Sequence, residues 1–350
     1  LLLTSQLQDL LAWYCLGWMG EFAREESSLV QRLQQQGSGF SDEDRRELLA
    51  MIGGLIGGVL PRYRALAEQG KAELSVTPWS HPIMPLLIDL RSAREAMPGV
   101  ELPTGTYPAG ESRCHWQLEQ AIDYFAERFG HRPAGCWPSE GALSESTLEL
   151  LRQHGFKWTA SGTNVLHNSL GDEYRNGNNQ HQLWSWPPAE QSDSVTPGSQ
   201  PIAVVFRDDE LSDLPGFTYA GWNPDDAVNN LVHRLETIHQ HSAAPTTTIS
   251  IIMDGENAWE FYPENGRAFL TTLYQRLAAH PRINLSTYSS LLESAPLKPL
   301  PKLVAGSWVY GNFAVWIGHP AKNRAWERLI EARRAVDAAL ANGYFNELQL

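Results

Sequence analysis

The sequence is short of cysteine, of basic relative to acidic residues, and of long apolar runs, and each shortage removes a class of protein. Its three cysteines, Cys15, Cys114 and Cys136, are an odd number with no C-x-x-C spacing. That excludes a disulfide framework and a cysteine-rich zinc site, and it makes a reducing, cytoplasmic setting the expectation. Lys+Arg number 27 against 40 Asp+Glu, a net charge of −13. So acidic a surface repels phosphate backbones and anionic lipid, which argues against nucleic-acid and membrane partners. No apolar run reaches the ~18 residues that a membrane span needs. Leu1 to Leu3 lack the basic region and cleavage site of a signal peptide. Neither H-E-x-x-H nor H-x-x-x-H occurs, and His239 and His241 would point to different faces of a helix. No dedicated metal site and no cofactor are expected.

What is present is an alternation of helical and strand-like segments. Ser41-Asp42-Glu43-Asp44 is a helix start signal, and the spacing predicts a helix from Asp42 to Gln69. Ala72 to Val76 is a short strand candidate. A helix over Glu111 to Phe129 follows, then an apolar segment from Ala134 to Trp137 and a helix over Ser144 to His154. Phe156 to Ala160, Leu183 to Trp186 and Ile202 to Phe206 (IAVVF) read as strands. Thr247 to Met253 (TTISIIM) is the strongest strand candidate, and Ile283 to Ser286 the last of the series. Helices are expected over Asp225 to Gln240 and Glu264 to Ala279. Strands alternating with helices of this length mean βα units, a parallel sheet and, at this number, a barrel. Pro187 to Pro201 is a polar insertion loop, Pro296 to Pro301 (PLKPLP) reads as a linker, and Lys322 to Ala341 is a long amphipathic helix. The expected division is a (β/α) barrel over residues 1–295, then residues 296–350 as linker and the beginning of a helical domain.

In a parallel barrel the C-terminal strand ends converge on one site. After AELSV come Thr77, Pro78, Trp79, Ser80 and His81; after Ala134 to Trp137 comes Glu140. After IAVVF come Arg207, Asp208, Asp209 and Glu210, and after TTISIIM come Asp254, Gly255 and Glu256. Separate strand ends thus bring carboxylates, a histidine and an arginine to one rim. Two carboxylates on different strand ends are the equipment for cleaving a glycosidic bond, one ionised and the other protonated. Arg207 or His81 would hold one of them charged. Glu140 could instead sit near the dipole of the helix that follows, and Asp254 could cap a helix. Asp208 and Asp209 could bind a divalent cation, although neighbouring strand residues face opposite ways. Thirteen tryptophans supply core mass and, in a minority, flat faces on which sugars stack.

These residues fall in blocks that resemble glycoside hydrolase family 57, the α-amylase, amylopullulanase and 4-α-glucanotransferase group. The run Thr77-Pro78-Trp79-Ser80-His81-Pro82 through Leu87 is similar to one block. Gly135-Cys136-Trp137-Pro138-Ser139-Glu140-Gly141 is similar to another. Phe206-Arg207-Asp208-Asp209-Glu210-Leu211, Met253-Asp254-Gly255-Glu256-Asn257-Ala258-Trp259 and Gly306-Ser307-Trp308 through His319 follow in order. The resemblance implies a distorted (β/α)7 barrel, a C-terminal helical bundle, α-glucan substrates and a retaining mechanism without an obligatory metal. It places the nucleophile on Glu140 and the general acid/base on Asp254. His81, Arg207 and Asp208 then fall to substrate positioning and tuning of the two carboxylates, Glu256 to substrate binding, and Trp79, Trp137, Trp259 and Trp308 to sugar stacking, with core packing the equal alternative for Trp259 and Trp308. The family opens with an H-x-H-Q-P-like strand ahead of the segment matching Asp9 to Glu21, and none is found here. The expectation is therefore a fragment incomplete at both ends and inactive by itself, with an apolar stripe through Ile330 and Leu340 left uncovered. The rivals are a metal-dependent polysaccharide deacetylase, whose short-spaced Asp and His ligands are missing, and a catalytically silent glucan-binding protein.

Overall fold

The computed structural model describes residues 4–171, 179–187, 200–242, 246–255 and 259–343. The chain forms two compact units. One comprises Leu1–Ala72, Asp213–Arg234 and Met253–Leu285; the other comprises Glu73–Ser212, Leu235–Ile252 and Ser286–Leu350.

The first unit is helical. Its helices Thr4–Gly17, Ser28–Gln36 and Asp42–Gly57 enclose Leu16, Val30, Leu33, Phe40 and Leu48. The Ser41 start signal forms a complete capping box: Ser41 Oγ accepts from the Asp44 N–H, and Asp44 Oδ2 accepts from the Ser41 N–H at 2.8 Å. Arg32 donates to the other Asp44 oxygen at 2.6 Å. That bond, with those from Ser41, holds the Asp44 carboxyl down at about 2. The single helix expected from Asp42 to Gln69 is divided into Asp42–Gly57 and Val59–Glu68. The division falls where Gly57 and Gly58 weaken the helix and Pro61, lacking an N–H, cannot bond the Gly57 carbonyl.

The second unit is built on a five-stranded sheet: β1 (Gly135–Cys136), β2 (Trp158–Ser161), β3 (Leu183–Trp186), β4 (Ile202–Phe206) and β5 (Leu297–Pro299), in the order β1-β2-β4-β3-β5. Every pairing is parallel except β3 with β4. All residues of β2 and β4 are buried, as expected of parallel strands covered on both faces. Leu118 and Ile122 of the helix Gly110–Phe129 and Leu148 and Leu151 of the helix Glu145–Gln153 pack with Val204 and Phe206 in the main core.

Three strand expectations need correction. TTISIIM makes no ladder: Thr248 N–H bonds the His181 carbonyl, the Ser250 carbonyl accepts from Asp208 N–H, and Ile252 N–H turns to the Ser212 hydroxyl. Isolated bonds to different partners do not build a strand, and Ile251 is exposed. Ile283 to Ser286 is irregular, and Ala72 to Val76 contributes only the bridge from Val76 to Cys136. Conversely, the PLKPLP linker contains β5. Its prolines disguise it, yet it is an edge strand, the one place in a sheet where Pro is tolerated. The helix Pro320–Ala341 is present, but its apolar stripe is not bare. Ile330 is buried with Leu86, Leu90, Phe313 and Ile317.

Tight packing of β1 on β2 yields a stability test. A Cβ on Gly135 would lie 1.9 Å from the Trp158 ring, whereas one on Gly53, inside a helix, meets nothing within 4 Å. Gly135→Ala should cost about 1–3 kcal/mol, and Gly53→Ala should add about 0.5–1 kcal/mol. Urea denaturation of both variants checks the signs; a neutral Gly135→Ala would refute the β1–β2 contact.

Candidate active site

Glu140 stands on a tight turn after β1. Gly141 N–H bonds the Pro138 carbonyl at 2.8 Å and Ala142 N–H the Ser139 carbonyl at 3.0 Å. Glu140 itself has φ 57° and ψ 25°, a left-handed conformation that costs a residue with a Cβ about 1–3 kcal/mol. The helix that follows is capped by Ser144 rather than by Glu140, which removes the dipole explanation for this acid. Its carboxylate is instead held from two sides. Oε1 lies 3.1 Å from His81 Nε2, and Oε2 accepts from the Trp308 indole N–H at 3.1 Å.

His81 arrives by the same device. Val76 pairs beside Cys136 on the free edge of β1, and the chain then turns through Ser80 and His81, both with positive φ (61° and 55°). Trp79 N–H bonds the Gln117 carbonyl of the neighbouring helix at 3.1 Å, fixing the turn. Two strained turns, at the ends of adjacent extended segments, thus aim a histidine and a glutamate at each other.

Trp308 completes the group. Its backbone N–H bonds the Glu140 carbonyl at 3.2 Å. Its ring meets Trp137 edge-on at 5.1 Å between centroids, and the Arg207 guanidinium lies over it at 5.1 Å. Gly162 makes room, since a Cβ there would come within 2.7 Å of Trp308 Cα. Arg207 follows β4, is buried, and has Nε 3.5 Å from Asp209 Oδ1. Glu140, His81, Trp308, Trp137 and Arg207 are therefore one constellation. Trp308, expected as a sugar platform, has neighbours across its ring and donates to the carboxylate instead.

Asp208 turns the other way. It is buried with Oδ2 at 2.8 Å from His181 Nε2 and 2.9 Å from Gln180 Nε2, while Oδ1 accepts from Leu211 N–H at 2.9 Å. Both oxygens are committed to the fold. Asp208, expected at the substrate, instead caps the helix Asp209–Asp213 and anchors the segment before β3. His181 was not among the expected residues; it lies ahead of β3 in no recognisable motif. Burial alone would push the Asp208 carboxyl up. The bonds from His181 and Leu211, the His181 charge and the Gln180 amide outweigh it, and the group is held below its ordinary value.

Asp254 and Trp259 belong to the helical unit. Asp254 is exposed, and Trp259 packs on Tyr262, Phe269 and Gly266 as core. Glu256 falls outside the described residues. Trp79 has its ring against Tyr124 rather than against Glu140. Among the described residues no three His, Cys, Asp or Glu side chains are grouped so as to hold a metal ion, and no helix is long and apolar enough to cross a membrane.

The lowered Asp208 titration sets a pH signature. A depressed carboxylate contributes stability in full above its unfolded value, 3.8, and loses it as pH falls through the lower folded value. Between pH 7 and pH 3 the urea midpoint of the wild type should therefore fall more steeply than that of Asp208→Asn, with the divergence confined to the region below pH 4. Parallel curves would mean that Asp208 is not held in its charged form.

The model of glycosyl hydrolase family 57 matches residues 12–303. No curated protein sequence matches the chain. Among solved structures, the 4-α-glucanotransferase of Thermococcus litoralis is similar over 74% of this chain and 34% of its own, at 20% identity and TM-score 0.52. A GH57-type branching enzyme from Pyrococcus horikoshii is similar over 91% of this chain and 62% of its own, at 16% identity and TM-score 0.57. The α-amylase AmyC of Thermotoga maritima is similar over 86% and 62%, at 12% identity and TM-score 0.52. The chain thus spans less than two thirds of each of these structures, and at such identities they report on the fold. The family model covers most of the chain, in the stretch that carries the Glu140, His81 and Arg207 segments, and the chain belongs to glycosyl hydrolase family 57.

Proposed function

We propose that this protein is an α-glucan-active retaining enzyme, a hydrolase or transglycosylase, with its sheet forming part of a distorted (β/α)7 barrel that leads into a helical domain. The observation that carries the reading is the Glu140 carboxylate, presented on a strained turn and held by His81 and Trp308. A nucleophile in a double displacement must be aimed before the sugar arrives, and His81 and Trp308 hold this carboxylate from two sides. The family and the names of the similar structures, a glucanotransferase, a branching enzyme and an α-amylase, point to α-linked glucose polymers.

In this reading Glu140 attacks the anomeric carbon and forms a glycosyl-enzyme while Asp254 protonates the leaving oxygen. Asp254 then deprotonates water or an acceptor sugar hydroxyl, which releases the sugar with its configuration retained. Trp308 is a positioning residue: its N–H holds the carboxylate, and Arg207 over its ring keeps the indole in register. Trp137 braces it from the edge.

Glu140→Ala should lose nearly all turnover on maltooligosaccharides, with partial rescue by azide or formate in the vacated space; normal turnover would remove Glu140 from the mechanism. Asp254→Asn should abolish cleavage of natural glucans yet spare the first step on substrates with good leaving groups. Equal losses on both would assign Asp254 another role. Trp308→Phe keeps the ring and deletes the donor, so kcat should fall about tenfold to a hundredfold, the worth of a hydrogen bond to a charged group, with KM little changed. An increase in KM alone would return Trp308 to sugar stacking. The anomer first released, read by proton NMR, decides between retention and inversion.

A further inference from the structure

After Trp308 the chain makes a turn that the catalytic reading does not use. Asn312 N–H reaches back to the Val309 carbonyl at 3.5 Å, and the two residues between them, Tyr310 and Gly311, have φ of 59° and 67°. Positive φ at both central positions is the mark of a type I′ turn, whose backbone favours Asn-Gly, Asp-Gly or Gly-Gly. Gly311 fits that rule. Tyr310 does not, since a bulky residue seldom adopts this conformation. Packing does not account for the choice either, because Tyr310 is 75% exposed. Among the described residues its hydroxyl makes no hydrogen bond, and its ring meets no other ring or cation.

We infer that Tyr310 is a substrate-binding residue whose open ring face takes a pyranose of the α-glucan at the rim of the Glu140 site. This rests on the proposed α-glucan activity and extends the same site by one residue. An exposed ring on a strained turn costs stability and gives nothing to the core, so its return comes from a ligand that meets it in solvent. The turn is tied to the site on two sides. It starts one residue after Trp308, whose backbone and indole N–H groups bond Glu140 at 3.2 and 3.1 Å. Beneath it lies the helix Thr163–Leu170: a Cβ on Gly311 would come within 2.7 Å of Asn164 Cβ, and Asn168 Nδ2 donates to the Gly311 carbonyl at 3.0 Å. Thr163, the neighbour of Asn164, donates its hydroxyl to the Arg207 carbonyl. Within the turn, buried Ser307 accepts from Val309 N–H at 3.1 Å and donates to the Asn312 carbonyl at 3.1 Å. Asn312 Nδ2 in turn donates to the Tyr310 carbonyl at 3.1 Å. The backbone is thus set before any sugar arrives, and only two side-chain torsions remain to be ordered, a small cost for a large contact area. A neutral sugar with apolar C–H faces suits an uncharged ring, whereas the net charge of −13 disfavours an anionic ligand.

The test uses the 350-residue chain and maltoheptaose. Tyr310→Asn supplies the residue that the turn prefers and removes the ring, so its urea midpoint should rise above that of wild type. Its Kd for maltoheptaose, measured by isothermal titration calorimetry, should nevertheless rise about tenfold, the worth of roughly 50 Å² of apolar contact. In turnover the loss should fall on KM, with kcat little changed. Tyr310→Phe keeps the ring and should stay within about twofold of wild type in binding. Greater stability together with weaker binding is the reverse of what a residue serving the fold would show. If wild type binds maltoheptaose and Tyr310→Asn binds it equally well, Tyr310 is no part of the site and the catalytic proposal is untouched. A loss in Tyr310→Phe as large as in Tyr310→Asn would assign the effect to the hydroxyl and overturn ring stacking. A Tyr310→Asn chain less stable than wild type would mean that the ring is there for the fold. A wild type that neither binds nor turns over maltoheptaose would sink the catalytic reading and this inference together.

Discussion

The sheet-bearing unit depends on the double contact between Trp308 and Glu140. The Trp308 backbone N–H bonds the Glu140 carbonyl, and its indole N–H bonds the Glu140 carboxylate. One residue thereby fixes both where the turn runs and where its side chain points. Trp308 must itself be fixed for this to work, and the segment before it has no strand to lie against. Its buried amides are satisfied one by one by side chains instead. Leu303 N–H bonds Glu145, Val304 N–H bonds Ser169, and Ala305 N–H bonds Glu95. Gly306 then closes a reciprocal pair with Leu143. The amides from Leu303 to Gly306 are each accounted for, as buried backbone requires. The consequence is that elements far apart in sequence converge on one carboxylate.

What the sequence made legible follows from how locally each feature is encoded. IAVVF and LWSW were readable as strands because a continuous apolar run with β-branched or aromatic residues and turn residues on either side has one economical use. TTISIIM has the same composition and forms no ladder, because pairing is decided by the neighbour and not by the segment. PLKPLP failed in the opposite sense: its prolines read as a linker, and tertiary context made the segment an edge strand. The Glu140 and His81 turns were readable because strand ends carrying chemistry, followed by Pro and Gly, are local signals. The partnership between Trp308 and Glu140 spans 168 residues, and nothing in either neighbourhood announces it. His181 was hidden for the same reason, since its importance lies wholly in the burial of Asp208.

The run Arg207-Asp208-Asp209 shows how one short segment serves two purposes. Successive residues leaving a strand face opposite ways, and here Arg207 goes to the Trp308 ring while Asp208 goes to His181 and the cap of the next helix. The inward carboxylate is more than decoration. By bonding His181, Gln180 and Leu211 at once, it locks the start of β3 and the end of β4 to the helix that follows. Arg207 is thus held at its root by a buried network while its guanidinium reaches the site. An arginine anchored in this way loses little freedom on meeting a charge or a ring, which is the property a positioning cation needs.

Strain has the same logic. Ser80, His81 and Glu140 all occupy the left-handed region without being glycine, at roughly 1–3 kcal/mol each. In a domain whose whole margin is about 5–15 kcal/mol, relaxed versions of both turns would be favoured if folding were the sole constraint. A relaxed turn at either place would rotate its side chain away from the other, and the 3.1 Å contact between His81 and Glu140 would be lost. The surrounding bonds, from Gln117 to Trp79 and from Trp308 to Glu140, are placed at the roots of these two turns. They resist that relaxation where it would begin. Strain concentrated at both partners of one polar contact, with buttressing at both roots, is what a site requires when its charge must be in position before the reaction starts.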